Sequence, residues 1–321
     1  GQYLTTTTNT VAIGDNAGRF NTGGNNTFVG VNAGKRGTTG ATSNNTFVGQ
    51  SAGLNNTGGN NTVVGHQALA YGQGGANNTI MGYLAGQDFT SSNNVAIGSS
   101  AALNVTSGTR VIAIGANSLD AATTESDNIA IGYDALGGAV SGAEKTTAIG
   151  NFSLASLTSG DENLGIGYYA GNSLADGGEN TLIGNYAGRN ITSANRNVAI
   201  GHEALDANTT GNDNIAIGSQ SLGAITTGST NNIGIGFRAG KVMSANAQHN
   251  TLIGGYEAGG GLGDGDYNVM IGTFAGQTAT GSSWANTFVG SNSGAGSSGV
   301  SSQNTGLGYD SLGGLSTGGY N

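Results

Sequence analysis

The chain has 321 residues, 63 of them glycine, with no proline, no cysteine, only 8% charged residues and a formal net charge of −9. Without cysteine, disulfides and thiolate metal sites are excluded, and nine scattered Lys and Arg form no basic stripe, so nucleic acid is not an expected partner. Aromatics at 6% leave little material for a thick core, yet Val, Ile and Thr recur in fixed phase, which argues against disorder.

The predicted elements are copies of one short unit. A glycine preceded by an aliphatic residue appears first at Ile13-Gly14, then at Val29-Gly30, Val48-Gly49, Val64-Gly65, Met81-Gly82 and Ile97-Gly98. The series runs on through Gly115, Gly132, Gly150, Gly167, Gly184, Gly201, Gly218, Gly236, Gly254, Gly272, Gly290 and Gly308, giving eighteen anchors spaced 16 to 19 residues apart. With this glycine as position zero, position −1 is aliphatic in every copy, including Ile13, Val29, Val48, Val64, Ile97, Ile131, Ile183, Ile217, Ile253 and Ile271. Position −4 is Asn in fifteen copies, among them Asn26, Asn45, Asn61, Asn180, Asn214, Asn268 and Asn304. Position +3 is Ala or Ser in seventeen, and +4 is nearly always Gly or Leu.

Residues −3 to −1, bounded by Asn and Gly, read as a short strand, and +1 to +4 as a second strand after a glycine bend. A unit this short cannot bury an apolar side alone; stacked copies can, each −1 aliphatic resting on the one below as the core. The expected fold is all-β, a parallel β-solenoid of about eighteen rungs. It forms a single array over 1–321, and at a strand spacing of ~4.8 Å its length is roughly 80 Å. The stacked Asn at −4 is expected either to form an amide ladder or to serve as a turn residue tolerant of unusual dihedrals.

Position −2 covaries with −3. Where −3 is Thr, −2 is large in seven copies, as at Phe28, Phe47 and Phe288. Since alternate strand positions face opposite sides, these three are expected to point away from the −1 core and to contact a neighbouring chain; a bend that turns them into the same core is the alternative.

His66 and His202 both sit at +1 but eight rungs apart, roughly 38 Å by strand spacing, too far to share a metal; His249 stands alone. Asp264, Asp266 and Asn268 have the opening spacing of a calcium loop without its distal Glu. Gly-x-Gly strings such as Gly165-Ile166-Gly167 lie in strands with no following helix, which removes the nucleotide-binding reading. No nucleophile, base and acid group together, so no catalysis and no cofactor are expected. Tyr83, Tyr133, Tyr168, Tyr309 and Phe237 share position +1 and form a candidate aromatic row for stacking on sugars, with isolated surface aromatics as the alternative.

The strings Val11-Ala12-Ile13-Gly14-x-x-Ala17, Asn94-Val95-Ala96-Ile97-Gly98-x-x-Ala101 and Asn197-Val198-Ala199-Ile200-Gly201-x-x-Ala204 resemble the head repeats of trimeric autotransporter adhesins. A variant, Asn180-Thr181-Leu182-Ile183-Gly184-x-x-Ala187-Gly188, with Asn286-Thr287-Phe288-Val289-Gly290, is similar to repeats of phage tail fibres and bacterial surface fibres. The resemblance covers nearly the whole chain, and it implies a left-handed β-roll, three chains side by side, and attachment to host or surface ligands. The repeats here are longer than the adhesin norm, and no heptad stalk, neck or anchoring barrel segment is present. The two ends, Gly1–Thr8 and Thr317–Asn321, carry no polar cap. Open solenoid edges of this kind are expected either to continue into a longer protein or to stack into a filament.

The expected function is therefore that of a structural or adhesive fibre protein, extracellular, at a cell surface or on a virion. It would be partnered by itself and by surface glycans, and not inserted in a membrane. Ranked Thr27, Thr46, Thr62 and Thr79 support an alternative, binding of ice or another flat surface. A polysaccharide-processing solenoid enzyme is a weaker third reading, because the few acids lie in loops.

Overall fold

A computed structural model describes residues 9–35, 42–73, 75–278, 283–296, 301–314 and 318–319. The residues 1–8, 317 and 320–321, on which much of the open-edge expectation rests, lie outside that range. The chain packs as two units, Gly1–Asp161 and Glu162–Asn321, and among the described residues there is no helix.

In the first unit the strands are β1 (Val11–Ile13), β2 (Thr27–Val29), β3 (Thr46–Val48), β4 (Thr62–Val64), β5 (Thr79–Met81), β6 (Val95–Ile97), β7 (Ile112–Ile114), β8 (Ile129–Ile131) and β9 (Thr147–Ile149). In the second they are β10 (Leu164–Ile166), β11 (Thr181–Ile183), β12 (Val198–Ile200), β13 (Ile215–Ile217), β14 (Ile233–Phe237), β15 (Thr251–Tyr256), β16 (Val269–Ile271) and β17 (Thr287–Val289). The short β18 (Ser301–Ser302), β19 (Thr305–Leu307) and the short β20 (Gly318–Gly319) complete the order. Within each unit successive rung strands pair in parallel and in register, as in Ile112↔Ile129, Ala113↔Ala130 and Ile114↔Ile131, or Ile215↔Ile233, Ala216↔Gly234 and Ile217↔Ile235. Each unit is thus a parallel β-solenoid, as the repeat predicts.

Three expectations are corrected. First, the aliphatic −1 residues are not the core. Ile13, Val29, Val48, Val64, Ile97, Ile131, Ile183, Ile217, Ile253 and Ile271 all lie on the outer face of the sheet, half-buried or exposed, with Ile13 60% exposed. Second, Phe28, Phe47 and Phe288 are inside, 0–1% exposed, and contact the interior of their own chain instead of a neighbour. The physical reason is common to both. A strand of three residues has one side chain on one face and two on the other, and the turn after position zero folds back over the side that −2 occupies. Opposite −2 lie the buried +3 Ala or Ser and the residue at +4, with Phe89, Val105, Leu157, Leu174, Ile191 and Ile225 closing the interior at +7.

Third, +1 to +4 form a turn, not a second strand, in all rungs but those of β14 and β15, whose strands extend into it. Backbone at +2 and +4 is left-handed: Asn32 has φ 58°, Leu69 49° and Leu119 50°. A non-glycine residue costs roughly 1–2 kcal/mol there. The turn is held regardless because its N–H groups donate to both neighbouring rungs, from Asn32 to Asp15 O of the preceding rung at 2.8 Å and from Leu119 to Ala135 O of the following one at 3.0 Å. Glycine is required at zero for two reasons. Its φ is +135° at Gly132, and a Cβ there would lie 2.6 Å from the backbone of Gly150.

Candidate interaction surfaces

The Asn column at −4 is buried and supports everything outside it. In the first unit the Asn26 Oδ1 accepts the Asn45 N–H at 2.9 Å, the Asn45 Oδ1 accepts that of Asn61 at 2.9 Å, and the Asn61 Oδ1 that of Asn78 at 2.8 Å. In the second unit each Oδ1 from Asn163 to Asn286 accepts twice: Asn197 Oδ1 receives the Asn214 N–H at 3.0 Å and its Nδ2 at 3.2 Å, and Asn214 Oδ1 receives both donors of Asn232 at 3.1 Å. The far end of the ladder repeats this with Asn304 on Asn286, both contacts at 3.1 Å. The amides thus form the ladder, and the left-handed turn residue is the preceding one at −5, such as Asn25 with φ 59°. Sequence reading merged these two roles, because Asn-Asn pairs occupy both positions in the early copies.

Asn268 is fully committed to this ladder, its Nδ2 donating to Asn250 Oδ1, Asp266 O and Ser283 O and its Oδ1 accepting from Asn286. Asp266 Oδ1 accepts the Gln248 N–H at 2.7 Å. The calcium spacing of Asp264, Asp266 and Asn268 therefore arises from a rung turn, and among the described residues no three His, Cys, Asp or Glu side chains gather as a metal site.

The outer sheet face is built from positions −3 and −1. No charged residue occupies either position in any of the eighteen copies. Met81 is 46% and Leu307 78% exposed on it, and β2 to β5 add the outward Thr27, Thr46, Thr62 and Thr79. An apolar strip repeated rung after rung is far more than the scattered surface aliphatics of an ordinary protein.

Ion pairs fall elsewhere, two of them at −5: Arg110 grips Asp127 through Nε at 2.5 Å and Nη2 at 2.7 Å, and Arg196 grips Asp213 at 2.6 and 2.9 Å. Each guanidinium holds its partner carboxyl below the usual range, but exposed pairs of this kind contribute little stability. One carboxylate is interior. Glu125 is 3% exposed, in a corner where other rungs carry Gly, Ala, Ser or Thr. Burial pushes its carboxyl up, but backbone N–H groups of Glu125, Gly142, Thr123 and Thr124 outweigh that and hold it below the ordinary value.

Aromatic side chains cluster on the edge just past the glycine bend. The +1 column is not one continuous row, since Ser99 and Ala116 separate Tyr83 from Tyr133. Rings at +1 instead meet rings at +1 or +2 of adjacent rungs. Tyr83 stacks on His66 with centroids 5.5 Å apart, and Tyr133 meets Phe152 edge-on at 5.2 Å. In the second unit Phe237, Tyr256 and Phe274 form a chain at 5.1 and 5.2 Å. There, too, Tyr168, Tyr169, Tyr186 and His202 form a larger cluster. Tyr309 is 77% exposed. The +2 partners were missed in sequence because a left-handed turn residue gives no periodic hydrophobic signal.

Comparison of the chain with protein-family profiles, with curated proteins and with solved structures finds no match.

Proposed function

We propose that this chain is a structural fibre protein that associates with copies of itself and attaches to surfaces, with no catalytic activity. The observation that carries this reading is the uncharged outer face, aliphatic at every −1 and aliphatic or Thr at −3. A partner for such a face must be apolar and must repeat at the rung spacing, and a second copy of the chain meets both conditions. Association would bury side chains that are now half in water, at roughly 25 cal/mol for each Å² of apolar surface removed. The resemblance to adhesin-head and tail-fibre repeats supports three chains side by side, a left-handed coil, and a location outside the cell, on its surface or on a virion. Many weak contacts repeated along such an assembly would give strong attachment by avidity.

Light scattering on the purified chain tests the reading: a mass that is a multiple of 31.4 kDa is expected, falling to a single chain when Ile131→Lys and Ile217→Lys are combined. A single-chain mass at every concentration would overturn self-association. A second reading is favoured by Thr27, Thr46, Thr62 and Thr79, which stand in one rank on β2 to β5: binding of ice or another flat lattice by that face. Inhibition of ice recrystallisation, lost in Thr46→Tyr, would support it over self-association.

A further inference from the structure

The two aromatic clusters of the second unit differ in what surrounds the rings. Beside Phe237 and Tyr256 the polar groups are used: Arg238 donates from Nε to Gln220 Oε1 at 2.9 Å and from Nη1 to Glu257 Oε1 at 3.3 Å. Beside Tyr168, Tyr169 and Tyr186 several are not. These rings line an open groove of about 450 Å³ together with Asn172, Ser173, Arg189 and Asn190, a size within the usual range of ligand sites. Arg189 donates only from Nη2, to Asp206 Oδ2 at 3.0 Å, while its Nε is buried with no acceptor. Among the described residues, no side-chain hydrogen bond engages the Ser173 hydroxyl, the Asn190 amide or the Tyr186 hydroxyl. Three ring faces thus share one groove with the unengaged Ser173 hydroxyl, Asn190 amide, Tyr186 hydroxyl and Arg189 Nε.

We propose that this groove is a binding subsite for a neutral saccharide. A pyranose presents an apolar C–H face and a rim of hydroxyls that both donate and accept, which matches ring faces edged by amide, hydroxyl and guanidinium groups. The rings are pre-arranged for a flat ligand: Tyr169 and Tyr186 lie within 21° of parallel with centroids 6.0 Å apart, and Tyr168 stands edge-on to both. Arg189 is held over Tyr186 at 5.0 Å. Its charge is already met by Asp206, and no other cation lines the groove. The site therefore carries no net attraction for an acidic sugar. This inference rests on the attachment half of the proposed function and not on self-association.

Affinity electrophoresis of the full chain tests it, using gels that contain hydroxyethylcellulose, laminarin or galactomannan, with alginate as the acidic arm. Retardation by at least one neutral polymer is expected. The apparent affinity should fall tenfold or more in Tyr186→Ala and in Asn190→Trp, which fills the groove, and should stay unchanged in Phe274→Ala at the other cluster. Circular dichroism of each variant identifies any that fails to fold; Asn190→Trp, at a half-buried turn, then carries the test alone. Retardation by alginate only, no retardation by any neutral polymer, or equal retardation of wild type and Asn190→Trp would overturn the proposal. Loss of self-association with retardation intact would overturn only the assembly reading.

Discussion

The rungs of β2 and β3 and those of β7 and β8 enclose the same interior by opposite means. In the first pair the space is filled from the strand, by Phe28 and Phe47 at −2, and the turn contributes glycine at +4. In the second pair −2 shrinks to Ala113 and Ala130, and the turn supplies Leu119 and Leu136, both fully buried. In these rungs the two positions trade because −2 and +4 meet: a Cβ on Gly53 would lie 2.5 Å from the Phe47 ring. These rungs therefore fill the interior from either side, and others bring in +7, as Leu174 does where Gly165 and Gly171 stand at −2 and +4, in keeping with a close-packed core.

The largest expected effect tests what the two rung types share. Gly132→Ala places a Cβ against the Gly150 backbone at a φ that L residues rarely adopt. It should cost about 4 kcal/mol, and Gly30→Ala beside β2 should cost the same, both measured by denaturant unfolding. A mild effect at either site would show that the rungs are not stacked as closely as described.

The next test breaks the exchange directly. Phe47→Ala should cost about 3–5 kcal/mol, and adding Gly53→Leu should recover most of it by converting a β3-type rung into a β8-type rung. If the double variant is no more stable than the single one, −2 and +4 do not share one space.

A smaller effect isolates the corner from the core. Glu125, in the β8 rung, accepts the N–H groups of Thr123 and Thr124 at 2.8 Å and of Gly142 at 3.0 Å. Because its folded pKa is depressed, its contribution is full above the ordinary Glu range and is lost as pH falls through the folded value. Glu125→Gln should cost about 1–3 kcal/mol at neutral pH. It should also flatten the acid limb of the stability profile, read from melting midpoints across the acid range.

The smallest effect concerns the ladder. At Val111 the Asn column of the first unit is interrupted: the Val111 N–H reaches Asn94 Oδ1 at 2.9 Å, but Val111 offers no side-chain oxygen to the next rung. The second unit carries Asn at −4 without a break from Asn163 to Asn304. Val111→Asn should add about 1 kcal/mol, and no gain would mean the amides serve the turn alone.

The rung count, the parallel stacking and the Asn column were legible in the sequence because each leaves a fixed residue type at a fixed phase, though the column alone left ladder and turn residue as alternatives. The facing of the strand was not. The constancy of −1 reads as a core signature, yet Ile217 faces outward and Ala216, at the variable position, is fully buried. Variation at −2 is what an interior shared with +4 and +7 produces. The aromatic groove was half legible: Tyr168 shows in the +1 column, but Tyr169 and Tyr186 sit at left-handed turn positions with φ 56° and 61°, where side-chain type follows no period. Their meeting depends on the rung-to-rung geometry, which spacing alone does not encode.

Because the chain has no cysteine of its own, a single thiol placed at −2 or −1 reports facing without background. Maleimide labelling of Ala216→Cys and Ile217→Cys is the most direct test. The thiol at 216 should stay protected until the chain unfolds. The thiol at 217 should label rapidly in dilute solution and more slowly as concentration rises and copies cover it. Rapid labelling at 216 with protection at 217 in dilute solution would contradict the account.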